Sequence, residues 1–247
     1  MHATRKLWTW LAVICALSFA VLGWVGTEIY LTAPPIPKHV VNPKGDVLFS
    51  PGQVQRGQEA WLSAGGQQLG SVWGHGSYLA PDWSADWLHR ESLALREIWA
   101  QRDFGMPYAN LREGQQAELN SRLKREMRTN TYDAANGTIT LSAERAQAVE
   151  QVATHYGAVF GSDPSMDALR EQYAMSAGSL PDPEDLRALS AFIFWSSWSA
   201  ATDRPGETDV SYTSNWPHEP LVDNTPTATA GIWSIASVIL MIAAIAG

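Results

Sequence analysis

Two stretches of this 247-residue chain are apolar on every side, and the residues between them are apolar on one side only. Leu7–Leu31 is a 25-residue run whose only charge is Glu28, and Ala228–Gly247 carries no charge at all. At about 1.5 Å per residue, a helix over the first run spans a hydrocarbon core about 30 Å thick. Trp8 and Trp10 at one end, with Trp24 and Tyr30 towards the other, suit the two interfacial belts. Between the runs the patterning changes to helical periods. Pro34, Pro35, Pro37, Pro43 and Pro51 predict a stiff, extended spacer over 32–51. Ser50-Pro51-Gly52-Gln53 then reads as a capped helix start, with Val54, Gln58 and Trp61 on one face and Gly65-Gly66 as its end. Trp87, Leu88, Leu95, Ile98 and Trp99 predict a helix from Ser84 to about Arg102. Leu119, Leu123 and Met127 predict another over Glu113–Arg128, with its acids early and Arg122, Lys124, Arg125 and Arg128 late, as the helix dipole favours.

Asn136-Gly137, between Thr131-Tyr132 and Thr138–Leu141, suits a type I′ turn and predicts a small hairpin. Ser142 caps a helix striped by Val149, Val152, Ala153, Tyr156, Val159 and Phe160, which Gly161 ends. Asp163-Pro164 and Asp182-Pro183 each open a further helix, the second being the most apolar of the middle region. Residues 203–227 form a polar, proline-rich connection back to the second apolar run. The fold class is therefore mainly α. It comprises a cytoplasmic tip and transmembrane helix (1–31), the spacer (32–51), a helical domain with a small β-hairpin (52–202), the connector (203–227) and the start of a second transmembrane helix (228–247).

Charge decides orientation and partners. Arg5 and Lys6 precede the first run, which places the N-terminus in the cytoplasm and the middle region outside it. A cleaved signal peptide also begins with positive charge, but its apolar region is shorter, about 7–15 residues, and no clean small-x-small site follows here. Setting aside Arg5, Lys6 and Glu28 leaves 15 basic against 24 acidic residues, a balance that argues against nucleic acid as a partner. The only cysteine, Cys15, lies in the first run, so the chain forms no internal disulfide and lacks the Cys-x-x-Cys-His needed for covalent haem.

The densest chemistry lies in Gly65–Glu91, GGQQLGSVWGHGSYLAPDWSADWLHRE, which holds Trp73, Trp83, Trp87, His75 and His89. Such a loop either packs against a partner surface or completes a core as a buried Ω-loop. His75 and His89 lie near Asp82, Asp86 and Glu91 in sequence, yet no His-Glu-x-x-His or paired-cysteine spacing supports a zinc site. His155 sits beside an apolar stripe, as structural histidines do, and His39 and His218 lie in proline-rich segments. No nucleophile elbow, phosphate loop or dinucleotide fingerprint is present. By itself the chain does not read as a complete enzyme.

WGHGSYLAPDWSADWLHRE, with GGQQLGS before it and YTSNWPHEPLVDNTPT at Tyr212–Thr227, resembles the signature of the quinol-dependent nitric oxide reductases, single-chain members of the haem-copper oxidase superfamily. The resemblance implies a bacterial inner-membrane protein with a periplasmic, cytochrome-c-like domain that has lost its haem. Gly66, Leu69 and Gly70 stand where the two cysteines and the haem histidine of the two-subunit relatives would lie. It implies b-type haems, non-haem iron and calcium for the complete enzyme, and membrane quinol as electron donor. The remaining transmembrane helices of that enzyme are the implied partner, with Trp73, His75, Trp83, Trp87 and His89 forming a docking loop. Backbone carbonyls of Gly76 and Tyr78 correspond to ligands of a bridging calcium, although the same Gly-rich stretch also suits a plain tight turn. The implied role is a structural cap on a catalytic core that joins two nitric oxide molecules. On this reading the chain is an N-terminal piece of that enzyme and inactive alone. An independent membrane-anchored binding or sensor module is the alternative.

Overall fold

A computed structural model describes residues 2–246. Helix α1 (His2–Thr32) forms one unit, and residues from Pro35 onward form a second. Thr4–Thr32 within α1 and all of α8 (Ala228–Ala246) are long and apolar enough to cross a membrane, and their side chains are exposed. None of the residues in these two spans is buried, the opposite of the helices between.

Apart from α8, the second unit is built on six helices and a small sheet. Helices α2 (Gln53–Ser63), α3 (Trp83–Phe104), α4 (Glu113–Arg128), α5 (Ala143–Phe160), the short α6 (Asp167–Gln172) and α7 (Pro183–Ala201) surround a core rich in aromatic side chains. Helix α7 is its axis: 13 of its 19 residues are buried, and α2, α3, α4 and α5 all pack on it. Strands β1 (His39–Val41), β2 (Val47–Phe49), β3 (Tyr132–Asp133) and β4 (Thr138–Thr140) make a mixed sheet in the order β2-β1-β4-β3.

The stretch expected to be a bare spacer is thus part of the domain. Its Val40, Leu48 and Phe49 are buried, and β1 runs parallel to β4 with Val40 opposite Ile139. The prolines stiffen the approach at 34–37, and after them two triplets, His-Val-Val and Val-Leu-Phe, pair as strands. Helix α2 also starts later than its sequence suggests. Gly52, at φ 82°, precedes Gln53, whose side-chain oxygen accepts from the Ser50 backbone N–H at 2.7 Å, so the reach-back is present but Ser50 does not cap. The β3–β4 connection is a four-residue turn over 134–137 rather than a two-residue type I′ turn. Only Gly137 takes positive φ there, because the Asp133 carboxylate binds the Ala135 N–H and the Asn136 amide and winds the turn around itself.

Other boundaries follow local chemistry. Asp82 caps α3 and Gly105, at φ 67°, ends it, while α4 spans the predicted residues. Ser142 caps α5, and Asp163 and Asp182 cap the elements that open with Pro164 and Pro183.

Helices α2 and α7 meet at Gly57, not at the predicted neighbour Gln58, which is exposed. A Cβ on Gly57 would lie 1.9 Å from the Ala188 carbonyl oxygen and 2.7 Å from Phe192 Cβ. Backbone cannot yield as a side chain does, so Gly57→Ala forces the two helices apart. The expected loss is about 1–3 kcal/mol or more, measured as a lower urea midpoint. An unchanged midpoint would show that this contact carries no strain.

Candidate functional site

The Gly-rich loop of residues 65–82 is pinned by one carboxylate. Asp82 Oδ2 accepts from Ser71 Oγ and from the Gly74 backbone N–H, both at 2.7 Å. Its Oδ1 accepts from the Ser84 hydroxyl and from the Ala85 N–H at 3.0 Å. One acid therefore caps α3 and ties the loop to that cap. Ser71 in turn accepts from the Gly76 N–H at 2.7 Å, and Ser77 N–H donates to the Ala80 carbonyl at 2.9 Å.

These ties distribute the predicted docking residues unequally. Trp83 and Trp87 are 1% and 0% exposed and belong to the domain's own core, so neither lies on a docking surface. The reason is periodic: α3 begins at Trp83, and the inward face of its first turns carries Trp83, Trp87 and Leu88. Trp83 meets Tyr156, Phe160 and Tyr173, and Trp87 meets Tyr156 and Phe194. Burial, and then the Asp86 carboxylate 2.9 Å from its hydroxyl, push the Tyr156 phenol well above its ordinary pKa. His155 beside it is pushed down by burial and by Arg90. Trp73 is half-buried; its indole donates to the Ser196 carbonyl at 2.7 Å and lies 5.3 Å from the Trp195 ring.

His75 and His89 reach the surface, and both meet the connector rather than each other. The His75 ring sits edge-on to Trp216 at 4.9 Å, and the Trp216 indole donates to the Gly74 carbonyl at 3.2 Å. His89 Nδ1 lies 3.1 Å from Glu219 Oε2, a carboxylate almost wholly buried. The two stretches singled out in the sequence, some 140 positions apart, are thus held face to face. Sequence reasoning treated the connector as a polar link and missed Asn215, Glu219 and Asn224, all buried. Asn215 Nδ2 donates to the carbonyls of Asp209 and Thr225, and Asn224 Nδ2 to those of Ala200 and Pro217. Polar side chains that satisfy backbone carbonyls order a loop without an apolar pattern, and the run of Asn, Pro and Trp was the available signal. Lys124 adds a clamp on Asp223, holding that carboxyl below its usual range.

Where loop, connector and α8 converge there is a cleft of about 280 Å³ lined by His75, Trp216, Pro226, Ala230, Gly231 and Ser234. Nearby in sequence, Tyr78 and Leu79 form a fully presented loop tip. The carbonyls of Gly76 and Tyr78 accept no hydrogen bond among the described residues. Calcium takes about 6–8 oxygens, and the neighbouring acid, Asp82, already uses both of its oxygens. The two carbonyls are left open to a cation, and the carboxylates of a calcium sphere would have to come from elsewhere. Among the described residues no group of three His, Cys, Asp or Glu is placed to hold a metal ion.

Residues 37–218 match the family model for the NorB cytochrome c-like domain of nitric oxide reductase. No curated protein matches the chain.

Proposed function

The chain belongs to the NorB cytochrome c-like family of nitric oxide reductase domains, and we propose that its domain is a haem-less structural cap on the membrane core of a quinol-oxidising nitric oxide reductase. The supporting observation is the backbone where haem attachment would lie. Gly66 has φ 55° and Gly70 has φ 133°, conformations that side-chain-bearing residues rarely adopt. A Cβ on Gly70 would lie 2.5 Å from Trp83 Nε1 and 2.6 Å from the Pro81 carbonyl. An indole therefore occupies the space over this loop, and the only cysteine is in α1.

Without its own carrier the cap passes no electrons, and quinol in the membrane supplies them to the core. There two nitric oxide molecules, two electrons and two protons give nitrous oxide and water. The metals of that chemistry, b-type haems and non-haem iron, would be held by the core, since among the described residues no group of three His, Cys, Asp or Glu is placed to hold a metal ion. Gly76 and Tyr78 would offer their backbone carbonyls to a calcium ion. The cap faces outside the cytoplasm, as Arg5 and Lys6 direct, and rests on the core through the His75–Trp216 cleft and the Tyr78–Leu79 tip.

The test is donor choice. A reductase carrying this domain consumes nitric oxide with a quinol and not with reduced cytochrome c. Expressed with a cytochrome c maturation system, the chain shows no Soret band after denaturation. Turnover sustained by cytochrome c alone, or a covalent haem band, overturns the reading.

A further inference from the structure

Four cations fall late on α4, and three are engaged by acids. Lys124 pairs with Asp223 at 2.6 Å, Arg128 with Asp203 at 2.7 Å and Arg122 with Asp103 at 3.3 Å. Among the described residues Arg125 forms no ion pair, and its Nη1 donates only to Ser121 Oγ at 2.8 Å. Arg122 and Arg125 line a cleft of about 380 Å³ together with Thr131, Thr140, Ser142 and Arg145. Arg145 is 2% exposed. Its Nε is bound by Glu91 and its Nη1 by the Glu126 carbonyl, while its Nη2 is shut off from water with no acceptor among the described residues. An unsatisfied guanidinium N–H in a buried position is costly, and natural structures carry few of them. Ser142 is also the N-cap of the 18-residue α5, so the positive end of that helix borders the same cleft. The Thr131 and Thr140 side chains form no hydrogen bond among the described residues, which leaves two hydroxyls able to donate.

We propose that this cleft binds a small oxyanion of the phosphate class. Guanidinium forks match the spacing of two oxygens on one centre, and hydroxyls supply the remaining donors. The site stands out on a chain with a net charge of −8, which repels an extended polyanion but leaves a local cationic wall for a compact one. Glu126 is the one carboxylate on the lining and opposes binding.

The experiment uses the full chain in detergent, titrated calorimetrically with inorganic phosphate and with glycerol 3-phosphate at constant ionic strength in chloride. Saturable one-to-one binding is expected. Arg125→Gln weakens it about tenfold or more, as loss of a charge-assisted contact does, and Glu126→Gln tightens it. Both side chains reach solvent, so far-UV dichroism should stay unchanged. Equal affinity for the two ligands identifies a free anion, and a preference for the ester identifies a headgroup-like monoester; either outcome supports the site. Absence of saturable heat with both ligands, or an Arg125→Gln affinity equal to the parent's, overturns it.

Discussion

Replacing Trp83 and Trp87 together with alanine unfolds the extramembrane domain at ambient temperature. Each indole is fully enclosed and touches aromatic rings of α5, with Phe194 of α7 completing the wall around Trp87. Removing a buried tryptophan costs about 3–5 kcal/mol. The two share Tyr156, so their losses are coupled and fall short of a simple sum. Even so, the deficit consumes most of a domain stability of about 5–15 kcal/mol. Trp87→Ala also strips Glu91 of the indole N–H that reaches its Oε2 at 2.9 Å. The measurement is near-ultraviolet dichroism and the urea midpoint of the full chain in detergent, with Trp73→Ala as comparator. Trp73 is only half-buried, and its loss should lower the midpoint far less. A double variant that keeps a cooperative transition at the parent's midpoint would return both tryptophans to a docking role.

That reversal of expectation shows where the sequence was legible. Local signals carried the helices: acids early and arginines late defined Glu113–Arg128, and Ser142, Asp163 and Asp182 announced the starts that follow them. Both membrane-compatible helices were visible because their patterning has no polar side to misread. Non-local pairing was hidden. His39–Val41 and Val47–Phe49 are too short for alternation to register, and β4, which pairs with the first of them, lies about 100 positions away. Gly57 was passed over for Gln58 because a glycine at a helix contact leaves no apolar mark; its absent side chain is what lets α2 approach α7. At the site, composition flagged the tryptophans of 73–87 but could not say which faced inward. That depends on the phase of α3, which the Asp82 cap sets by starting the helix at Trp83. The connector's role was obscured for a different reason. Asn215, Glu219 and Asn224 hold it through hydrogen bonds, and periodicity does not record those.

The second large effect is expected at the ion pair between α3 and α5. Glu91 Oε1 and Arg145 Nε are 2.7 Å apart, with side chains 1% and 2% exposed. Both charges lie out of water, so removing one partner strands the other. Arg145→Met leaves a buried carboxylate held only by the Trp87 indole, and Glu91→Leu leaves a guanidinium with the Glu126 carbonyl as its remaining acceptor. Each single change should cost about 3–5 kcal/mol. The double variant Glu91→Leu/Arg145→Met removes both desolvation penalties and fills similar volume with apolar atoms. It should be more stable than either single variant and lie close to the parent, since apolar replacements of buried pairs are often neutral or stabilising. Urea midpoints for the four proteins close a double-mutant cycle, and the expected coupling is large and favourable. Additive losses would mean that the two groups stabilise the α3–α5 interface separately, through the Trp87 and Glu126 bonds, and that their mutual contact contributes little.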